Sequence, residues 1–171
     1  FGMVEAFGVK QTTFRMFFAM IGRMYHRKGT PLNPYHNLFH GFDVMKTCYF
    51  LLEICELAKD APNISGYALL IAGLCHDVGH PGRNNLFQTN NSTPLAIRYN
   101  DYSVLESYHA ALTFSCMRKC NNDGMYGNLD NDGRKMMRNI IVECIMATDV
   151  SKHVKLLKQV NSGGTPSHLL Q

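Results

Sequence analysis

The sequence predicts an all-α fold, and three observations support this prediction. Apolar residues recur three and four positions apart over long stretches, the spacing that places them on one face of a helix. Glycine and proline follow these stretches, where they stop helices. No stretch alternates apolar and polar residues over the length of a strand. The 171 residues, 46% of them hydrophobic, suffice for one domain with a core and are too few for two.

The helical stretches can be followed in order along the chain. Gly29 and Pro31 close the first helix, whose Met and Phe side chains are expected in the core, and Pro81 closes the third. Ser103 is predicted to cap the fifth helix, because a serine hydroxyl satisfies free N–H groups at a helix start. The predicted helices cover residues 12–27, 40–59, 66–78, 94–100, 103–118 and 133–160.

The polar segment before the last predicted helix has a second interpretation, as a calcium-binding loop. Asn128, Asp130 and Asp132 match the first ligand positions of such a loop. The twelfth position is Asn139, where the loop needs a bidentate glutamate. We therefore interpret the segment as a polar surface loop.

Composition narrows the classes of function and location. The net charge is +4 and the Lys and Arg residues are scattered, so no basic stripe indicates nucleic-acid binding. No apolar run approaches the roughly 20 residues that span a bilayer, so this piece has no membrane segment. The cysteines form no CxxC pair, which favours reduced thiols and a cytoplasmic location, or the cytoplasmic face of a membrane through regions outside this chain. These cysteines are Cys48, Cys55, Cys75, Cys116, Cys120 and Cys144.

Two histidine pairs at helical spacing are the strongest signal of chemistry. His36 and His40 lie four apart in PYHNLFH, and His76 and His80 lie four apart in LCHDVGHPG. Residues four apart project from one helix face, so each pair can present its imidazoles to one point, and Asp77 adds a carboxylate oxygen. A lone histidine is more often structural, but two pairs with one spacing indicate a site. The mixed nitrogen and oxygen set suits zinc or a harder divalent ion and leaves room for water, as a hydrolytic site requires.

Five stretches, in order, resemble the class I cyclic nucleotide phosphodiesterases. PYHNLFHGFDV resembles the HNxxH segment of that family, and LCHDVGHPG resembles its HDxxHPG segment. The stretch from NNLFQTNN to LESYHAA, then IIVECIMATD, then VSKH follow in the family's order. The resemblance covers roughly residues 30–155. It implies that residues 1–171 form one partial catalytic domain of the multi-helix HD type, truncated before its C-terminal helices.

The resemblance implies metal-dependent hydrolysis of 3′,5′-cyclic nucleotides, cAMP or cGMP or both, to 5′-monophosphates. His40, His76 and Asp77 would be the protein ligands of a tightly held metal ion, usually zinc. Asp77 would also bridge to a second ion, magnesium or manganese. Water activated by the two ions would attack phosphorus, and His36 would give a proton to the departing 3′ oxygen.

Seven further residues correspond to positions around the family's metal centre. Four would hold metal-bound water and orient the ligands: His80, Glu106, His109 and Thr148. Three would lie in the pocket: Tyr35, Asp149 and Val150. Without the family, Glu106 would be interpreted as a solvated charge on a helix surface and Thr148 as an ordinary helix residue.

The chain also departs from the family pattern. Gly79 stands where many members have aspartate, and Ser107 and Tyr108 stand where asparagine and histidine are common. The family's fourth metal ligand, an aspartate well beyond the ATD motif, has no counterpart before Gln171. The glutamine that binds the purine edge and the phenylalanine that stacks on it are missing too. We therefore expect an isolated 171-residue chain to have weak activity or none.

Two alternatives stay open on the sequence. One is another HD-type phosphohydrolase, acting on nucleoside triphosphates or phosphomonoesters; the HNxxH, LESYHAA and ATDVSKH stretches argue against it. The other is a nucleotide-binding or regulatory domain without turnover, which would have no need of His36 beside His40. The choice between cAMP and cGMP and the oligomeric state are left open, with a homodimer as one option.

Overall fold

A computed structural model describes residues 2–26, 33–54, 63–120 and 124–161, and these residues form helices and connecting turns without a strand. The prediction of an all-α fold is confirmed. The helices are α1 (Met3–Ala6), α2 (Gln11–Tyr25), α3 (Leu38–Ile54), α4 (Ile64–Cys75), α5 (Asn85–Asn90), α6 (Pro94–Tyr99), α7 (Val104–Lys119), a 3₁₀ helix (Gly124–Tyr126), α8 (Asn131–Ala147) and α9 (Val150–Asn161).

Helix α4 is the centre of the core. Its sequence, ISGYALLIAGLC, is apolar on every side, and such a helix must be surrounded by others. It packs against both α3 and α8. Asn63 caps its first turn by accepting a hydrogen bond from the Gly66 N–H group. At its other end the buried Tyr25 hydroxyl donates to the Leu74 carbonyl oxygen at 2.9 Å. Both ends of α4 are therefore fixed, and with them the residues that follow it.

Helices α3 and α4 approach closely because glycine stands at the contact. A Cβ atom on Gly41 would lie 2.6 Å from the Leu74 carbonyl oxygen and 2.7 Å from the Tyr25 hydroxyl oxygen. On the facing helix, a Cβ atom on Gly73 would lie 3.2 Å from the Cα atom of Met45. This approach brings the beginning of α3 next to the end of α4.

The single helix predicted over residues 133–160 is wrong, because the chain turns between α8 and α9. The Asp149 carboxylate accepts hydrogen bonds from the N–H and hydroxyl groups of Ser151, at 2.9 and 2.7 Å, and so starts a new helix. Ser103 stands at the start of α7 as predicted, but its side chain does not cap that helix. Its hydroxyl donates instead to Asp149 at 2.6 Å.

Three short elements, α1, α5 and the 3₁₀ helix, were not predicted, because their sequences show no helical period, whereas the equally short α6 was predicted over residues 94–100. Asn84 caps α5, since its side chain accepts a hydrogen bond from the Phe87 N–H group at 2.9 Å. Residues 27–32 and 55–62 lie outside the described residues. The predictions on Gly29, Pro31 and the end of the second helix fall on these residues.

The backbone of the segment that resembles a calcium-binding loop is helical where such a loop would have to continue. Helix α8 already begins at Asn131, and Asp130 caps it by accepting from the Gly133 N–H group at 2.8 Å. The segment is only partly a surface loop, since Met125 and Tyr126 of the 3₁₀ helix are buried.

Candidate metal centre

Two asparagines set the positions of His36 and His40. Asn33 precedes α3 and its side-chain oxygen accepts from the His36 N–H group at 3.1 Å. The side-chain oxygen of Asn37 accepts from the N–H groups of Phe39 and His40, at 3.0 and 3.2 Å, which caps α3. His40 therefore lies in the first turn of a capped helix. Sequence reasoning did not identify either asparagine, although Asn37 stands inside the HNxxH motif.

Ligand atoms from α3 and from the end of α4 converge on one point. The Nε2 atoms of His40 and His76 lie 3.2 Å apart. The Oδ2 atom of Asp77 lies 3.4 Å from the former and 3.2 Å from the latter. Two imidazole nitrogens this close need a proton or a cation between them, since their lone pairs repel. The three side chains form a group that could hold a metal ion.

The hydrogen bonds and charges of His40, His76 and Asp77 favour the binding of a cation. His76 Nδ1 donates to the Gly73 carbonyl oxygen at 2.9 Å, which leaves Nε2 as the ligand atom. Burial lowers the pKa of His76, but the hydrogen bond and charge of Asp77 outweigh it and the net shift is upward. Burial raises the pKa of Asp77, but the hydrogen bond and charge of His76 lower it to about 2. Burial lowers the pKa of His40, as does His76. A metal ion bound here would compete with a proton for the His76 Nε2 atom.

Asp77 also belongs to a second group, with His36 and His80. The rings of these two histidines stack with centroids 4.0 Å apart at an interplanar angle of 7°. His80 Nδ1 accepts from the Gly82 N–H group at 3.0 Å, so the proton of the neutral ring is on Nε2. Burial lowers the pKa of His80 to about 4, so this tautomer prevails at neutral pH. His80 therefore suits a hydrogen bond to water better than direct coordination.

His109 lies behind Asp77, on α7. Its Nδ1 donates to the Val78 carbonyl oxygen at 2.8 Å, and its Nε2 lies 3.9 Å from Asp77 Oδ1. Burial lowers the pKa of His109 to about 4, so the ring is neutral at pH 7. Its Nε2 is then a hydrogen-bond acceptor facing the centre.

Glu106 is not the surface charge that the sequence alone suggests. It lies one helical turn before His109 on α7 and is only 8% exposed. Asn85 Nδ2 donates to its carboxylate, at 3.2 Å from Oε1 and 2.9 Å from Oε2. Asn85 was not identified from the sequence, because it lies in a six-residue helix without a periodic signal.

A cleft of about 1090 Å³ joins these groups. Of the residues that the resemblance implied for the site, the cleft is lined by His36, His40, His76, Asp77, His80, Glu106, His109, Thr148, Asp149 and Val150. Tyr35 is not part of the lining; it is 61% exposed and its ring packs against that of His40 with centroids 4.5 Å apart. Val150 stands at the rim and is 83% exposed. The Thr148 hydroxyl donates to the Ile145 carbonyl oxygen at 2.7 Å, at the end of α8.

Among the described residues, no helix has the length and apolar character needed to cross a bilayer. The polar residues that line the cleft come from five segments of the chain: the start of α3, the end of α4 with the loop after it, the start of α5, helix α7, and the turn between α8 and α9.

Comparison with known proteins gives consistent results. The chain is 38% identical over 153 residues to the 3′,5′-cyclic-nucleotide phosphodiesterase regA of Dictyostelium discoideum, covering 90% of this chain and 19% of that protein. It is 35% identical over 167 residues to the high affinity cAMP-specific and IBMX-insensitive 3′,5′-cyclic phosphodiesterase 8A of Mus musculus, covering 97% and 20%. It is 34% identical over 158 residues to the human high affinity cGMP-specific 3′,5′-cyclic phosphodiesterase 9A, covering 91% and 25%.

The fold agrees with solved structures. The phosphodiesterase domain of the RhoPDE fusion protein from the choanoflagellate Salpingoeca rosetta superimposes with a TM-score of 0.83 at 33% identity, covering 97% of this chain and 51% of that chain. The chain thus spans about a fifth to a quarter of the length of these curated relatives and about half of the solved domain. The sequence model of the 3′5′-cyclic nucleotide phosphodiesterases matches residues 35–167, and the chain belongs to that family.

Proposed function

We propose that the protein hydrolyses 3′,5′-cyclic nucleotides to nucleoside 5′-monophosphates in a metal-dependent reaction. The observation that carries the proposal is the pair of ligand groups that share Asp77 at the floor of one cleft. Paired cations around one carboxylate suit an in-line displacement at phosphorus. The named relatives include a cAMP-specific and a cGMP-specific enzyme, so both nucleotides are candidate substrates.

The donor set favours zinc at the more buried group. Ligand atoms 2.0–2.1 Å from a tetrahedral zinc ion lie roughly 3.3 Å apart. The three distances among His40, His76 and Asp77, between 3.2 and 3.4 Å, fit that spacing. The second group offers fewer coordinating atoms, because His80 presents an N–H, which suits a magnesium or manganese ion that keeps most of its waters. When bound, the two ions supply an activated water and neutralise charge on the phosphoryl oxygens.

The remaining side chains divide the work of holding water and moving a proton. His36, at the edge of the cleft, is the proposed donor of a proton to the departing 3′ oxygen. Glu106 and the Nε2 atom of His109, both in the cleft lining, are proposed to accept hydrogen bonds from water in the cleft. The His80 Nε2–H group is proposed to donate a hydrogen bond to water. The Thr148 hydroxyl, which donates to the Ile145 carbonyl oxygen, is proposed to accept a hydrogen bond from water.

The test is hydrolysis of cAMP and cGMP with magnesium by the full-length protein, with bound zinc measured by elemental analysis. His40→Ala should lose both zinc and turnover, because it removes a ligand atom. His36→Ala should keep zinc and lose turnover by about 100-fold or more, because it removes only the proton donor. His26→Ala, outside the cleft lining, is the matched control. A folded, zinc-loaded protein that hydrolyses neither nucleotide would contradict the proposal.

A cytoplasmic location is also proposed. The cysteines that the structure describes are free thiols: Cys48, Cys75, Cys116, Cys120 and Cys144. Free, largely buried thiols are typical of a reducing compartment, and fractionation of cells would test this location. The homodimer stays a prediction, which sedimentation of the full-length protein would test.

A further inference from the structure

We propose that Asn85 is a positioning residue for the hydrolysis: its amide holds the Glu106 carboxylate at the wall of the cleft without neutralising its charge. Both residues line the cleft that contains Asp77. The catalytic part of this inference rests on the proposed function, whereas the contact itself does not.

The orientation of the Asn85 amide is fixed from both sides. Its Nδ2 group donates to Glu106, at 2.9 Å from Oε2 and 3.2 Å from Oε1. Its Oδ1 atom accepts from the Leu105 N–H group at 2.9 Å. A flipped amide would place its oxygen against the carboxylate and its N–H₂ group against an N–H donor. The side chain therefore holds one orientation, and it fixes both the backbone and the side chain at the start of α7.

Because Glu106 is buried, its carboxylate depends on the hydrogen bond from Asn85. A carboxylate that is only 8% exposed needs hydrogen-bond donors, because burial removes most of its water. Among the residues that the structure describes, no Lys or Arg forms an ion pair with Glu106. Asn85 supplies a neutral donor in place of a cation.

A neutral donor matters for what Glu106 can do. An arginine or lysine at this position would offset the negative charge and repel a metal ion nearby. An amide orients the carboxylate and leaves its charge facing the cleft, where it can attract a hydrated cation or accept hydrogen bonds from its waters. Asn85 also links α5, which follows the loop that contains His80, to α7, which carries His109.

The experiment uses Asn85→Asp in the full-length protein. The substitution has nearly the same shape and keeps the acceptor for the Leu105 N–H group, but it turns a carboxylate oxygen toward Glu106. We expect the magnesium concentration for half-maximal hydrolysis to rise 10- to 100-fold, as for other residues that orient a metal site. Asn90→Asp makes the same chemical change on the same helix at an exposed position outside the cleft lining, and should alter that concentration less than about twofold.

A double-mutant cycle in melting temperature tests the contact separately. Asn85→Asp and Glu106→Gln should each lower the melting temperature. Combining the two restores one amide and one carboxylate in exchanged places, so most of the melting temperature should return. Hydrolysis should not return, because the carboxylate of residue 106 is then absent.

The outcomes separate this inference from the proposed function. Additive losses in melting temperature, or an unchanged magnesium requirement in Asn85→Asp, would overturn the positioning role. Absence of cyclic nucleotide hydrolysis in the unmutated protein would remove the proposed function and with it the catalytic role of Asn85. The recovery of melting temperature in the double variant would still establish the contact in that case.

Discussion

At the scale of single residues, Asp77 is the side chain that both candidate ligand groups share. Burial raises the pKa of this group, yet the hydrogen bond from His76 and the charges of the surrounding imidazoles lower it to about 2. The structure therefore keeps a negative charge where cations would bind. Substitution of Asp77 by asparagine, which has the same shape without the charge, would test whether metal binding depends on that charge.

Asp77→Asn should abolish binding of both metal ions and lower hydrolysis by about 100-fold or more, since it removes the shared anionic ligand. Elemental analysis and the rate of cyclic nucleotide hydrolysis measure the two effects. Asp43→Asn, at an exposed position on α3 outside the cleft lining, is the control and should behave as the unmutated protein. A full metal content in Asp77→Asn would show that the two groups do not share this residue.

The sequence could identify the histidines and Asp77 because their spacing already places them on common faces. His36 and His40 lie one turn apart, so proximity follows from helix geometry alone. Asn85 and Ser103 gain their roles from partners 21 and 46 positions away, and no local pattern encodes such contacts. Residues of this kind become visible only when the packing of helices is known.

At the scale of helices, the contact between α3 and α4 aligns His40 with His76, and Gly41 is its tightest point. Gly41→Ala would place a Cβ atom 2.6 Å from a backbone oxygen, which cannot move aside as a flexible side chain can. We expect a loss of about 1–3 kcal/mol in the free energy of unfolding, together with reduced metal binding as the helices separate. Urea denaturation and metal titration measure both effects.

Gly22→Ala is the matched control for this prediction. Gly22 lies in α2, and an added Cβ atom would meet only the Leu38 Cδ2 atom, at 3.3 Å. That methyl group can shift, and alanine favours a helix over glycine by about 1 kcal/mol. The control should therefore be neutral or stabilising; an equal loss in both variants would mean that the close helix contact is not the cause.

The turn between α8 and α9 is held to the start of α7 by the hydrogen bond from Ser103 to Asp149. Burial raises the pKa of Asp149, but hydrogen bonds from Ser103 and Ser151 outweigh it and hold the pKa below its ordinary value of 3.8. A carboxyl group with a lowered pKa in the folded state stabilises the fold above its unfolded pKa. That contribution is lost as the pH falls through the folded pKa.

Ser103→Ala should therefore lower the free energy of unfolding by about 1–3 kcal/mol near neutral pH. The difference from the unmutated protein should shrink as the pH falls below the ordinary carboxyl pKa of 3.8 and vanish below the lower pKa of the folded protein, where Asp149 takes up a proton in the folded state as well. Urea denaturation across this pH range is the measurement. Ser115→Ala removes an exposed hydroxyl that donates only within α7, so it should have a small effect at every pH; a pH-independent loss in Ser103→Ala would contradict the argument.

The longer helices could be predicted from their apolar spacing, and the six-residue α6 was predicted as well. Helices α2, α4 and α7 agree with the predicted ranges to within a few residues. The break between α8 and α9 was missed because the apolar spacing continues across it, while the turn is set by side-chain hydrogen bonds of Asp149. The fold class thus follows from periodicity, whereas the exact course of the chain at the cleft depends on polar contacts.

At the scale of the whole molecule, the candidate site joins segments that are far apart in the sequence. His40 lies in the first turn of α3, Asp77 follows α4, and Glu106 lies on α7. A metal ion held by His40, His76 and Asp77 would tie α3 to the end of α4, and it would be bound only in the folded state. Metal binding and folding should therefore be linked, since a ligand that binds only the folded protein stabilises it.

Removal of the metal should lower the melting temperature of the full-length protein. At a free zinc concentration 100 times the dissociation constant, binding contributes about 2.7 kcal/mol, which a strong chelator would remove. Thermal unfolding with the chelator, and again after zinc is restored, measures the effect. His40→Ala should melt at the same temperature with and without the chelator, because it has already lost a ligand. A chelator effect that persists in this variant would place the stabilising metal outside the group of His40, His76 and Asp77.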